Sequence, residues 1–201
     1  MIPSAQIQRC LIAVALASLS LSAAAHVGDA HDHGGLLTGF LHPITGLDHL
    51  AAMLAVGVWS AMTTRRLWLA PVSFAVLLLA GAWLAQAGVA FPAIEPMIAA
   101  SMLVVGLLLA VQVKLPDAAG AVLVGAFALF HGAAHGQELG GGAALAGMVL
   151  GTAVLHAVGI GMGLGLKRAH AWLPRAAGAA VALMGLTMGW GLLAGGGATP
   201  P

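Results

Sequence analysis

The sequence predicts an all-α membrane protein, a polytopic helical bundle of six transmembrane helices that follow a cleaved signal peptide. Three observations predict it. Hydrophobic residues make up 61% of the 201-residue chain and charged residues only 6%, where a soluble domain carries about a quarter charged residues; mean hydropathy is +1.03. The apolar residues gather into segments near the roughly 20 residues that a helix needs to cross a bilayer. The lysines and arginines beyond the leader fall only in alternate connections between those segments. Glycine, at 29 residues, suits closely packed membrane helices. The formal net charge is +1 and no basic patch is present, which excludes nucleic acid as a partner and leaves the lipid bilayer as the expected surroundings.

Residues 1–25, MIPSAQIQRCLIAVALASLSLSAAA, read as a secretory signal peptide. Arg9 and the amino terminus supply positive charge, residues 10–22 a short apolar core, and Ala23-Ala24-Ala25 an A-x-A cleavage site. That core is too short to span a bilayer, which favours a cleaved leader over an anchor helix. Cys10 is the chain's only cysteine and leaves with the signal, so the mature chain has no thiol for a disulfide or a thiolate metal site. The mature domain, residues 26–201, then begins with a polar periplasmic leader at 26–35. His26, His31 and His33, with Asp32 among them, make this leader either a metal-capture arm or simply a polar start.

The first apolar segment begins at residue 36 or 45 and ends at 63. The others cover 67–87, 94–113, 117–135, 143–166 and 173–194. TTRR, GVAFPAIEP, KLPD, GQELGGG and KRAHAWLPR separate them, and proline or glycine marks most of these breaks. Arg65 and Arg66 follow the first segment, Lys114 the third, and Lys167, Arg168 and Arg175 flank the join between the fifth and sixth. The alternate connections hold Glu95 and Glu138 and no basic residue. The positive-inside rule then puts both termini outside, on the periplasmic face of a bacterial inner membrane. A cleaved signal demands the same orientation. The pairs Gly147 and Gly151, Gly161 and Gly165, and Gly185 and Gly189 have the small-xxx-small spacing that lets helices approach closely. A bundle of this kind can also self-associate as a homo-oligomer.

Two segments break the apolar pattern. In HPITGLDHLAAMLAVG, His42 and His49 are two helical turns apart, which predicts nearly one face of one helix, with Asp48 beside it. Pro43 fits a first helical turn and Gly46 permits a bend, the ingredients of a broken helix that exposes polar groups to a cavity. In FHGAAHGQELGGG, His131 and His135 have the i, i+4 spacing that can hold one divalent ion, and Glu138 can complete or orient the site. The first segment enters from outside with its polar residues early; the fourth runs outward with its polar residues late. Both sets therefore belong to the outer half of the membrane and can converge. Each opens a three-helix half, and the halves have the opposed orientation that a 3+3 inverted repeat requires.

Ionisable groups within a membrane are costly and mark a pathway. His156 lies about 13 residues into the fifth segment, at roughly 20 Å depth by the helical rise. It reads either as a histidine bonded to neighbouring backbone or as an inner ligand. His170 reads as solvated, Glu95 as an interfacial loop residue, and Met53 as core packing. Imidazole with a few carboxylates suits nickel, cobalt, zinc or copper(II) better than calcium or magnesium. No phosphate-cradling Gly-x-x-x-x-Gly-Lys-Ser/Thr loop appears, so the chain shows no ATP-driven motor.

HPITGLDHLAAMLAVGVW resembles the signature of the HupE/UreJ family, and FHGAAHGQE resembles that family's second block. A cleaved signal, a His-containing start and six helices are similar to it too, so the likeness covers essentially the whole chain. The resemblance implies a permease for Ni2+ or Co2+ that supplies metal to hydrogenase or urease maturation and meets that machinery only indirectly. It implies His42, Asp48, His49, His131, His135 and Glu138 as metal residues for a transported ion, with no fixed cofactor and no enzymatic activity. Two other readings compete. An intramembrane metal-dependent hydrolase would use three histidines and a carboxylate to activate water. A non-transporting accessory protein would bind metal without passing it on.

Overall fold

Among the described residues (35–139, 141–168 and 170–195), the computed structural model contains seven helices and no strand. The predicted signal peptide at 1–25 and the leader residues His26, His31 and His33 lie outside those residues. The first apolar segment becomes α1 (Leu36–Thr45) and α2 (Leu47–Thr63). The rest become α3 (Leu69–Gln86), α4 (Ile94–Val111), α5 (Asp117–Glu138), α6 (Gly142–Leu166) and α7 (Trp172–Gly195). The last five are each long and apolar enough to cross a membrane, and α1 with α2 make a sixth, broken crossing bent by 81°. The protein is a multi-pass membrane bundle, as the sequence predicts.

Proline sets several starts. Pro71, Pro96 and Pro174 fall in the first turns of α3, α4 and α7, and Pro116 immediately precedes α5. The first N–H groups of a helix have no intrahelical acceptor, so a missing one costs little there. Pro43 departs from this rule and from the expectation of a first-turn position: it lies in the last turn of α1. It offers no N–H to the carbonyl of Gly39, and the weakened ladder ends three residues later. Gly46 then takes an extended conformation (φ −81°, ψ 114°) and caps α1 and α2 at once. His42 and His49 accordingly stand on two helices that meet at a corner, not on one face of one helix.

The bundle is built from three close pairs: α3 lies along α5, α4 along α7, and both α1 and α2 along α6. Each pair joins the first half of the chain to the second. Glycine makes the contacts. A Cβ on Gly132 would run into the carbonyl of Leu78, and one on Gly81 into that of Leu129, so α3 and α5 touch backbone to backbone. Gly147 and Gly151 meet α1, and Gly185 meets α4, as their spacing predicts. Gly161 and Gly165 do not: both face open space, and the neighbouring Gly159 and Gly163 pack on α2 instead. Helix α6 turns 100° per residue, so a two-residue shift selects a different face.

On the side that carries the basic loops, polar groups tie the connections together. The Trp59 indole N–H donates to the carbonyl of Val113 (3.0 Å), Ser60 Oγ donates to the carbonyl of Leu67 (2.7 Å), and the Arg65 backbone N–H donates to Asp117 Oδ1 (3.1 Å). Trp59 and Met53 are fully buried within the apolar core. The opposite ends of α1, α2 and α5 are left to position the polar constellation.

Candidate metal centre

The corner at Gly46 brings His42, in the last turn of α1, against the last turns of α5. His42 Nε2 lies 3.1 Å from His135 Nδ1 and 3.5 Å from Glu138 Oε2, and His135 Nδ1 lies 3.4 Å from the same carboxylate oxygen. Metal–nitrogen bonds of about 2.0–2.1 Å put adjacent ligand atoms about 3.3–3.4 Å apart in a tetrahedron and about 2.9 Å apart in an octahedron. The observed triangle falls within or just beyond that range. His42, His135 and Glu138 could thus hold a single ion between them. Helix α5 runs past the predicted end at 135, and that extra turn is what delivers Glu138.

His49 sits in the first turn of α2, where its Nδ1 and Asp48 Oδ1 are 2.9 Å apart. A carboxylate can only accept, so the proton is on His49 Nδ1 and the lone pair is on Nε2. His131 is oriented by a residue that the sequence did not single out. Ser101 Oγ donates to the carbonyl of Ile98 (2.7 Å) and lies 2.8 Å from His131 Nε2. Its one hydrogen is spent on the carbonyl, so Ser101 accepts from His131 Nε2–H and the lone pair is left on His131 Nδ1. The freed atoms, His49 Nε2 and His131 Nδ1, and also His135 Nε2, are buried without a hydrogen-bond partner among the described residues. The ring of His49 is centred 4.5 Å from that of His135 and 5.6 Å from that of His131. The two sequence motifs do converge, and His135 stands in both groups: its Nδ1 faces the His42–Glu138 side, while its Nε2 belongs to the buried set.

Exposure falls steadily across the cluster. Side-chain exposure is 59% at Glu138, 31% at His42 and Asp48, 12% at His49 and 1% at His135. An ion that arrives from water meets a carboxylate and an imidazole first and buried imidazoles afterwards. Glu138 lies beyond the apolar span Asp117–Gly136, and the facing imidazoles of His135 and His42 hold its carboxyl well below the usual carboxylate range.

His156, on α6, is 1% exposed. The backbone hydrogen bond that one sequence reading expects is absent: neither ring nitrogen has a partner among the described residues. Phe74 of α3 packs against both His156 and His131, with its ring centred 5.1 Å from the former and 5.6 Å from the latter. His170 is exposed, in line with its reading as solvated; Glu95 is exposed too, but it stands in the first turn of α4 and not in a loop. The sequence missed Ser101 and Phe74. The one signal for Ser101 is that it is the lone hydroxyl residue of α4; Phe74 has none, because an aromatic residue in an apolar helix is ordinary.

The sequence matches the HupE / UreJ protein family over residues 14–188. It is 39% identical over 183 residues to Protein HupE of Rhizobium leguminosarum bv. viciae, a match that covers 88% of this chain and 96% of that relative. No solved structure matches the chain.

Proposed function

This chain belongs to the HupE / UreJ protein family, and on that premise we propose that it is a permease for a divalent transition-metal ion, Ni2+ or Co2+. The observation that carries the reading is the triangle of His42 Nε2, His135 Nδ1 and Glu138 Oε2, within reach of one ion at the water-facing edge of an otherwise apolar bundle. The ion is cargo, not a resident cofactor, and the chain acts on it by binding and release, not by chemical transformation. The expected setting is the bacterial inner membrane with both termini periplasmic, as the positions of Arg65, Arg66, Lys114, Lys167, Arg168 and Arg175 favour. The client implied by the family resemblance is hydrogenase or urease maturation, reached indirectly.

In this reading a hydrated ion approaches Glu138, whose charge offsets its own. Imidazole nitrogens of His42 and His135 replace part of the hydration shell, and each replaced water lowers the cost of going deeper. Rotation of the His135 ring then offers the ion to the lone pairs of His49 and His131. Asp48 and Ser101 do not need to touch the ion. They keep the protons of His49 and His131 on the far side of each ring, so that a lone pair faces inward.

Uptake of radiolabelled nickel into liposomes that contain the purified protein tests the proposal, with protein-free liposomes as the comparison. Saturable influx supports it. Nickel binding without influx would leave an accessory role, and metal-dependent hydrolysis of lipid or peptide without influx would leave an enzyme.

A further inference from the structure

We propose that His156 and Thr152 form a second, inner station for the same class of divalent cation, with the Phe74 ring as the partition between it and the outer cluster. The inference rests on the permease reading for what the station is for, but not for its existence. His156 and Thr152 are one helical turn apart on α6 and therefore share a side of it. Both are buried, at 1% and 0% exposure. His156 Nδ1, His156 Nε2 and Thr152 Oγ1 all lack a hydrogen-bond partner among the described residues.

Thr152 makes the point most clearly. A helical threonine ordinarily satisfies its hydroxyl on the carbonyl four residues back. In this protein Thr63 does so to Trp59 (2.6 Å) and Thr64 to Ser60 (2.7 Å). Thr152 does not. A histidine with two free nitrogens beside it is a poor structural element, since a buried polar group without a partner is costly and an apolar residue of similar size is not. Such a pair suits a ligand that arrives and leaves. One imidazole and one hydroxyl, with no carboxylate, bind a borderline divalent ion more weakly than the outer cluster does. Weak binding is what release towards the basic side requires.

Phe74 is 2% exposed, and its ring is tilted 51° to that of His131 and 77° to that of His156. An aromatic face attracts a partly dehydrated cation electrostatically, so the partition separates the two stations without a repulsive barrier. Rotation of the ring would connect them.

The test places a thiol at the proposed station. In a Cys10→Ser background, His156→Cys leaves position 156 as the sole thiol, and Co2+ is added to the purified protein. A thiolate-to-cobalt charge-transfer absorption is expected, because an ion that reaches the station will bind the introduced sulfur. Cobalt bound elsewhere in the protein with no such absorption overturns the proposal. Should His156→Cys fail to fold, His156→Gln carries the test: Ni2+ affinity of the purified protein within twofold of wild type, with nickel influx at least tenfold slower. Influx at the wild-type rate overturns it. Charge transfer in a protein whose wild type admits no nickel would sink the permease reading alone. Nickel influx with neither the absorption nor the His156→Gln defect would sink the station alone.

Discussion

His42 and His135 are 93 residues apart in the chain, yet their Nε2 and Nδ1 atoms stand 3.1 Å apart, closed on one side by the Glu138 carboxylate. Two imidazoles at that distance cannot both carry a proton between them, so the pair shares one hydrogen or gives way to a metal ion. Protons and metal therefore compete. A histidine ligand must be neutral to bind, so acid that protonates the imidazoles displaces the metal. Nickel affinity of the purified protein is expected to fall as the solution is made acid. Glu138, held below the usual carboxylate range, stays ionised while the imidazoles take up protons. Glu138→Gln should weaken binding across the range, which isothermal titration would check. Unchanged affinity in that variant would count against the assignment.

Ser101 never has to touch the ion, but it decides which nitrogen of His131 carries the proton. Ser101→Ala should lower metal affinity about 10-fold to 100-fold, the usual effect of losing a group that orients a ligand. Ser101→Thr, which keeps the hydroxyl, should recover most of it. Equilibrium dialysis with nickel would show whether both variants behave alike, and equal affinities for Ala and wild type would remove Ser101 from the account.

Gly46 is the corner. Its φ of −81° is open to any residue, so alanine carries no backbone penalty there. A Cβ would, however, stand 3.0 Å from His49 Nδ1 and 3.1 Å from Asp48 Oδ1. Gly46→Ala should fold normally and push the His49–Asp48 pair apart, so that nickel influx falls while thermal stability is kept. A variant with both properties unchanged would mean that the pair does not orient His49 for transport.

The polar motifs and the apolar spans were legible in the sequence for one reason. In lipid an ionisable group or a proline has few tolerable places, so His42, Asp48, His49, His131, His135 and Glu138 stand out from any plausible background. Contacts between distant segments were not legible. The spacing of His42 and His49 suggested one helical face, while Pro43 and Gly46 suggested a broken helix; the break is present, and it puts the two histidines on different helices. Pro43 was expected to begin a helix and helps to end one. Gly161 and Gly165 have the spacing of a packing motif, yet Gly159 and Gly163 make the contact, since the partner helix chooses the face. Ser101 and Phe74 acquire roles only from His131, which lies 30 residues from Ser101.

The same distinction gives a stability prediction. A Cβ on Gly132 would strike the Leu78 carbonyl, while Gly161 faces open space. Gly132→Ala should destabilise the α3–α5 pair by about 1–3 kcal/mol, the usual cost of overpacking. Gly161→Ala should be close to neutral. Thermal unfolding of the two variants in the same detergent would rank them, and the reverse order would contradict the packing described.

Nickel influx into liposomes that contain His135→Ala tests the central claim most directly, because His135 is shared by the outer triangle and the buried imidazoles. The account predicts influx reduced at least about 100-fold, beyond the range for an outer-shell partner, in a protein that still folds and inserts. Influx at the wild-type rate would contradict it.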